Sequence, residues 1–172
     1  MKFRSNIRII TILALVFLNI GCDQLSKKIV REKISTNERI AVIKDNLILT
    51  KVENTGAAYS LGSDLSPFTK RILLQLIPAI VLIVMFWVIT FKVEYSKEMV
   101  IGFCFIIGGG IGNIFDRIVH GSVTDFMYID LGFFNTEIFN MADVSIVVGS
   151  LIILIFSFVK KSTNINLNEG LE

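Results

Sequence analysis

Long apolar stretches alternate with polar segments along this chain. Four stretches approach the roughly 20 residues that a helix needs to cross a bilayer; they are residues 7–25, 72–91, 99–118 and 139–159. The pattern predicts a membrane all-α protein, a bundle of four transmembrane helices forming a single domain over residues 1–172. Segments 26–71 and 119–138 connect the spans on one side of the membrane. The polar residues 162–172 predict a disordered tail.

The connecting segments carry patterns of their own. Residues 40–43 and 47–52 are rich in β-branched side chains and flank Lys44-Asp45-Asn46, which predicts two short strands joined by a turn. The second segment contains aromatic residues such as Phe126 and Tyr128, which suit a membrane interface. We therefore predict a small exported β-sheet and a short exported loop or helix near the membrane surface.

Composition supports a membrane protein and argues against several other classes. Hydrophobic residues make up 53% and charged residues only 19%, against about a quarter charged in soluble domains. The net charge of +2 is too mild to indicate a nucleic-acid partner. The cysteines, Cys22 and Cys104, lie far apart, and His120 is the single histidine. This set predicts no disulfide framework, no metal site and no cofactor.

Basic residues favour one orientation of the bundle. Cations precede the first span, separate the second from the third and follow the fourth; they are Lys2, Arg4, Arg8, Lys92, Lys97, Lys160 and Lys161. The positive-inside tendency therefore predicts that both termini are cytoplasmic. Segment 26–71 also holds cations, but it is long and mixed with acids, so it weighs less in this argument.

The N-terminus permits an alternative interpretation. Residues 1–22 have a basic start, an apolar centre and a Gly-Cys end, as a lipoprotein signal peptide does. On that interpretation the chain is itself a lipoprotein with Cys22 as its lipidated first residue. Asn19 fits such a cleavage site poorly, and three further spans follow.

Polar residues inside spans are costly and are therefore functional candidates. At the end of the third span, Asn113, Asp116 and Arg117 stand at i, i+3 and i+4 and share one helix face, with an ion pair possible between the last two. Gly108 and Gly112 form a GxxxG pair that allows another helix to approach closely. A packing face with a neutralised pair explains the same pattern.

Two further acids follow the third span. Asp125 lies between apolar neighbours, and Asn140 and Asp143 stand at i and i+3 where the fourth span begins. Asn140 could alternatively be a helix N-cap with Asp143 at the third position, an arrangement that resembles a capping box.

Two other groups lie before the second span. Asn54 precedes the small residues Gly56-Ala57-Ala58, which suit a tight turn where the backbone must come near something. Asp23 and Lys27, at i and i+4, could form an ion pair at a helix end.

Together these groups resemble the lipoprotein signal peptidase (signal peptidase II) family. The matching motifs, in the order of the family, are Asp23-Gln24-x-x-Lys27, Asn54-x-Gly56-Ala57-Ala58, Gly109-x-x-Gly112-Asn113-x-x-Asp116-Arg117, Val123-x-Asp125-Phe126 and Phe139-Asn140-x-Ala142-Asp143. They extend over most of the chain. Tyr59 stands where many members have Phe, which keeps the aromatic ring.

The resemblance implies an aspartic endopeptidase of the bacterial inner membrane with its active site toward the outer face. Such enzymes remove signal peptides from prolipoproteins by cutting before the diacylglyceryl-modified cysteine, and Asp125 and Asp143 match the catalytic pair. The resemblance also implies contact with membrane phospholipid and binding of globomycin-type inhibitors. The residues that it assigns to substrate binding or support are Asn54, Gly56, Ala58, Asn113, Asp116, Arg117, Asn140, Asp23 and Lys27, the last two near the lipid head group.

The chemistry of two carboxylates fits this activity. A close pair shares one proton, so the charged member can take a proton from water while the neutral member hydrogen-bonds the substrate carbonyl. Asp116 is a rival for Asp125 in the pair, although Arg117 beside it would hold it ionised. Two other classes stay open at this point: a small transporter or ion relay using Asp116, Asp125 and Asp143, and a non-catalytic membrane lipoprotein or scaffold.

Overall fold

Four helical segments are long and apolar enough to cross a membrane. They are seen in a computed structural model that describes residues 2–44, 46–92 and 95–169. The first is α1, Lys2–Lys33. The second combines α2 (Pro67–Arg71), a π-helical turn (Ile72–Leu76) and α3 (Ile77–Phe91). The third is α4, Lys97–Val119, and the fourth is α5, Met141–Glu169. The predicted four-helix membrane bundle is confirmed.

Local sequence explains where the second and third spans begin. The hydroxyl oxygen of Ser66 accepts a hydrogen bond from the backbone N–H of Thr69, with Pro at the first helical position, and Ser96 caps α4 in the same way. The π-helical turn comes just before Pro78. Because proline has no N–H for the carbonyl four residues earlier, the preceding turn widens.

The helix α4 is the centre of the bundle because its glycines let two neighbours approach. A Cβ at Gly108 would lie 2.5 Å from Cβ of Asn19, and one at Gly112 would lie 2.5 Å from Oδ2 of Asp23, both on α1. Gly109 faces the backbone of α5 at Ala142 in the same manner. The prediction of close helix contact at the GxxxG pair is therefore confirmed.

Apolar packing divides between two clusters. The larger lies between α1, α3 and α4 and is centred on buried residues such as Ile12, Ile89 and Ile107. The smaller joins Val30 at the end of α1 to Phe126 of the following sheet. The second cluster fixes the sheet against the end of the bundle, where the polar residues gather.

A three-stranded antiparallel sheet covers that end of the bundle, in the order β1 (Ile40–Ile43), β2 (Leu47–Asn54) and β3 (Val123–Ile129). The two predicted strands are confirmed, and Asp45 of the predicted turn lies outside the described residues. The third strand was not predicted. It pairs Val52 with Asp125 and Asn54 with Val123.

Two boundaries differ from the sequence prediction. α1 continues to Lys33, beyond the predicted end at residue 25, because its last turns pack against the sheet and the polar cluster described below. α5 continues through residues 162–169, where a disordered tail was predicted. Extending an existing helix costs far less than nucleating one, so polar residues can prolong it. Residues 170–172 lie outside the described residues.

Candidate active site

The fold brings the ends of α4 and α5 against β2 and β3 around a cavity of about 280 Å³. Both Asp125, on β3, and Asp143, on the first turn of α5, line this cavity. The other lining residues are Asn54, Ala57, Ala58, Tyr59, Asn113, Arg117, Val123, Glu137, Ile138, Phe139, Asn140, Ile146 and Val147. Two acids that are 18 positions apart in the sequence thus line the same cavity.

Asp125 is held by two amides. Nδ2 of Asn140 donates to its Oδ1 at 2.6 Å, and Nδ2 of Asn54 donates to its Oδ2 at 3.1 Å. Asp125 is only 5% exposed. Burial raises the pKa of the Asp125 carboxyl to about 6, and the nearby Asp143 adds to the rise, while the two amide donors oppose it. Asp125 therefore retains a proton more readily than an ordinary aspartate.

Asp143 begins α5 in a reciprocal cap with Asn140. The backbone N–H of Asp143 donates to Oδ1 of Asn140 at 3.0 Å, and the backbone N–H of Asn140 donates to Oδ2 of Asp143 at 3.1 Å. The capping alternative is thus correct, and it does not compete with a role in the cavity. The cap fixes the Asp143 side chain while Nδ2 of Asn140 contacts Asp125.

Asn113 connects this pair to a second polar group inside the bundle. Its Nδ2 donates to Oδ1 of Asp143 at 2.9 Å, so its Oδ1 is free to accept. That oxygen accepts from Nζ of Lys27 at 2.9 Å and from Nδ2 of Asn140 at 3.2 Å. A cation therefore fixes which way the Asn113 amide faces.

The second polar group is a fully buried ion cluster. Nζ of Lys27 lies 2.8 Å from Oδ2 of Asp23 and 3.0 Å from Oδ2 of Asp116, and all three side chains have no exposed surface. With Asn113, these contacts use the three donors of the ammonium group. Arg31 adds a second cation, with Nη2 2.9 Å from Oδ1 of Asp116. The two cations balance the two acids.

The predicted ion pair between Asp116 and Arg117 is wrong. Adjacent helical residues do not face each other, so Asp116 turns toward Lys27 and Arg31 of α1. Nη2 of Arg117 instead donates to the backbone oxygen of Gly56 at 2.6 Å. Asp116 is a buried structural anion, absent from the cavity lining, which removes the observation that made it a rival for Asp125.

Asp23 and Lys27, for which the resemblance implies a place near the lipid head group, are both buried within the bundle. Oδ1 of Asp23 accepts from the backbone N–H of Ala142 at 2.9 Å, in the first turn of α5. An anion at a helix N-terminus satisfies an otherwise free donor and the helix dipole. Asp23 thereby ties α1 to the turn that carries Asp143.

A tight turn forms the wall of the cavity opposite α5. Oδ1 of Asn54 accepts from the N–H of Gly56 at 2.9 Å, and Nδ2 of Asn54 also donates to the oxygen of Ala57 at 3.1 Å. A Cβ at Gly56 would lie 2.6 Å from the backbone of Ser60, so only glycine fits. Tyr59 follows with a positive φ of 56° and is 77% exposed at the rim.

Sequence reasoning missed several of these residues. Glu137 and the apolar pair Ile146 and Val147 line the cavity, but a lone acid and two ordinary span residues carry no signal of their own. Arg31 was also missed as a partner of Asp116. Its position one helical turn after Lys27 could have indicated it.

Comparison with known proteins identifies relatives over most of the chain. The family described as signal peptidase (SPase) II matches residues 15–159. A lipoprotein signal peptidase of Streptococcus pneumoniae (strain ATCC BAA-255 / R6) is 36% identical over 96% of this chain and 100% of its own length. Another, of Enterococcus faecalis (strain ATCC 700802 / V583), is 37% identical over 81% and 82%.

Solved structures agree with the sequence comparison. One bacterial membrane enzyme superposes with a TM-score of 0.78 at 27% identity, covering 90% of each chain. A second gives a TM-score of 0.74 at 28% identity over 84% of this chain and 90% of its own. These matches do not favour a transporter or a non-catalytic lipoprotein.

Proposed function

The chain belongs to the signal peptidase II family, the lipoprotein signal peptidases, and from this premise we propose that Asp125 and Asp143 are its catalytic dyad. The protein is a membrane-spanning peptidase of a family whose substrates are prolipoproteins. The observation that carries the proposal is Asn140, which donates to Asp125 and forms a reciprocal cap with Asp143.

The dyad acts as an acid and a base on one bound water. The Asp143 carboxylate takes a proton from water as the water oxygen adds to the substrate carbonyl carbon, and Asp125 gives its proton to the carbonyl oxygen. The C–N bond of the resulting diol then breaks. The leaving nitrogen takes the proton from Asp143, and a diol hydroxyl returns a proton to Asp125.

The raised pKa of Asp125 supports this division of roles, because it favours the protonated form of Asp125. Asn113, Asn140 and Asn54 are positioning residues that orient the two carboxyl groups.

The substrate is a prolipoprotein cut immediately before its diacylglyceryl-modified cysteine. Ile146 and Val147 on the α5 side of the cavity suit the apolar signal peptide, while the turn at Gly56 and Ala58 approaches its backbone. Membrane phospholipid surrounds this mouth, and globomycin-type inhibitors occupy the same cavity.

Both termini face the cytoplasm, and the cavity opens at the outer face of the inner membrane. Support comes from the cations that flank α3 and α4 at the end away from the dyad, such as Lys92 and Lys97. A reporter fused after residue 161 should give a cytoplasmic signal, and one inserted near Asp64 an external signal. The reverse pattern would contradict this orientation.

Cleavage of a lipidated prolipoprotein by purified variants tests the dyad. Asp125→Asn and Asp143→Asn should each abolish turnover, and the double variant should be little worse than either, because the two act as one unit. Asp64→Asn, at an exposed position, is the matched control and should retain full activity.

Asp116→Asn distinguishes a structural acid from a catalytic one. It should lower the yield of folded protein, because Lys27 and Arg31 lose a buried partner, and leave activity in the protein that folds. Substantial turnover by Asp125→Asn would remove Asp125 from the dyad. Full activity in both dyad variants would contradict the aspartic mechanism.

A further inference from the structure

A second cavity lies at the other end of the bundle and has no part in the proposed reaction. It has a volume of about 380 Å³ and lies between the first turns of α1 and the first turns of α4. From Lys97 at its rim to Arg117 in the catalytic cavity, α4 rises about 30 Å, which matches the thickness of the hydrocarbon layer. The two cavities therefore lie at opposite membrane surfaces.

The lining of this cavity has an apolar part and a polar part. Ile7, Ile12, Leu15, Val100 and Ile101 contribute apolar surface. The polar groups that line it are Arg8, Thr11, Tyr95 and Lys97. A site with an apolar groove beneath a cationic rim matches the two parts of an anionic lipid.

Arg8 is the cation on the α1 side of this cavity. Its Nη2 donates to the backbone oxygens of Ile89 and Lys92, both at 3.0 Å, and so closes the C-terminal end of α3. Its Nε is buried and has no hydrogen-bond partner among the described residues. The same holds for Nη2 of Arg31 and Nε of Arg117, and this N–H leaves Arg8 with a donor that an oxygen ligand can use.

The other polar groups at the rim suit a phosphate at the membrane surface. Lys97 is exposed and is the first residue of α4. The ring of Tyr95 packs against Phe103 at a centroid distance of 5.7 Å, and tyrosine is common at membrane interfaces. Glu98, the acid next to Lys97, does not line the cavity.

We propose that the cavity between the first turns of α1 and α4 binds an anionic glycerophospholipid of the surrounding leaflet. One acyl chain lies against Ile12, Leu15 and Val100, and the phosphate lies between Arg8 and Lys97. A signal peptide is a poor occupant, because its basic start would meet these two cations. The site is independent of the catalytic assignment, because none of the residues that the structure describes lines both cavities.

Lipid binding to the full chain in detergent tests this proposal. Native mass spectrometry would compare phosphatidylglycerol with phosphatidylcholine of identical acyl chains, and glycerol 3-phosphate would represent the head group alone. The wild type should retain phosphatidylglycerol in preference to phosphatidylcholine. Lys97→Gln should reduce this preference about fivefold. The control Lys92→Gln removes the same charge at the same end of the bundle, outside the cavity lining, and should retain it.

A filling variant tests the acyl-chain half of the site. Thr11→Trp places a large apolar ring in the cavity and should displace both lipids while cleavage of the prolipoprotein continues. Equal retention of the two lipids by the wild type would overturn the proposal, as would equal losses in Lys97→Gln and Lys92→Gln. Binding of glycerol 3-phosphate as tight as that of phosphatidylglycerol would show an anion site without a lipid groove and would also overturn it.

Discussion

Replacing Asp125 with Asn should change how the stability of the protein depends on pH, in addition to stopping cleavage. In the folded protein, burial raises the pKa of this carboxyl from 3.8 to about 6. The folded state therefore binds the proton more tightly than the unfolded chain does. Its contribution to stability is complete below pH 3.8 and is lost as the pH rises through 6.

The size of this effect follows from the two pKa values. Each pH unit between them corresponds to about 1.4 kcal/mol, so the full loss is about 3 kcal/mol. About half of this loss of stability, roughly 1.4 kcal/mol, occurs between pH 5 and pH 8. Asp125 is only 5% exposed, so solvent screening reduces the effect little. An asparagine does not titrate, and the Asp125→Asn variant should lack this loss.

The measurement is the free energy of unfolding in detergent at several pH values. Relative to the wild type, Asp125→Asn should gain about 1.4 kcal/mol on going from pH 5 to pH 8. Contributions that do not depend on pH, such as an altered hydrogen bond with Asn54, cancel in this comparison. The control Asp64→Asn should follow the wild type, because Asp64 is exposed. The same pH dependence in Asp125→Asn and wild type would refute the reasoning, and its loss in Asp143→Asn alone would assign the shared proton to Asp143.

Three further substitutions test the supporting structure. Lys27→Met leaves two buried carboxylates without their shared cation and should destabilise the protein by about 3–5 kcal/mol in chemical unfolding, whereas the exposed Lys28→Met should have little effect. Gly112→Ala puts a Cβ 2.5 Å from Oδ2 of Asp23 and should lower stability by about 1–3 kcal/mol, and an unchanged unfolding curve would contradict this packing. Cys22→Ala should retain activity and apparent mass, because Cys22 is an exposed residue within α1, and loss of a lipid label would instead support a lipoprotein.

The spans and two of the strands could be predicted because their patterns are local. Twenty apolar residues define a span, and β-branched runs on either side of a turn define a hairpin, without reference to other parts of the chain. The third strand was not predicted, because Val123–Ile129 closely follows a span and its aromatic residues were interpreted as a membrane-interface segment. Its content of β-branched and aromatic residues also fits a strand, but pairing with β2 depends on a partner about 70 residues away.

The partners of the charged residues could not be predicted from spacing alone. Asp116 and Arg117 are adjacent in sequence, yet one turns toward α1 and the other toward the turn at Gly56. Which cation meets Asp116 depends on how α1 and α4 pack, and the close approach at Gly112 decides that. Spacing identified Asp116, Asp125 and Asp143 as candidates, and only the tertiary contacts separate Asp116, in the ion cluster, from the two acids that line the cavity.

The position of the ion cluster explains how one end of a membrane bundle can hold a reactive pair of acids. Isolated charges there would be costly, and the contacts of Lys27 with both Asp23 and Asp116, and of Arg31 with Asp116, offset that cost. Because Lys27 also donates to Asn113, the same pairing sets the direction of the amide that reaches Asp143. The cluster therefore orients one member of the proposed dyad from inside the bundle, while the sheet carries the other. If this pair is the catalytic dyad, cleavage requires the contact between these two layers, and displacing either one should stop cleavage even when both aspartates are intact.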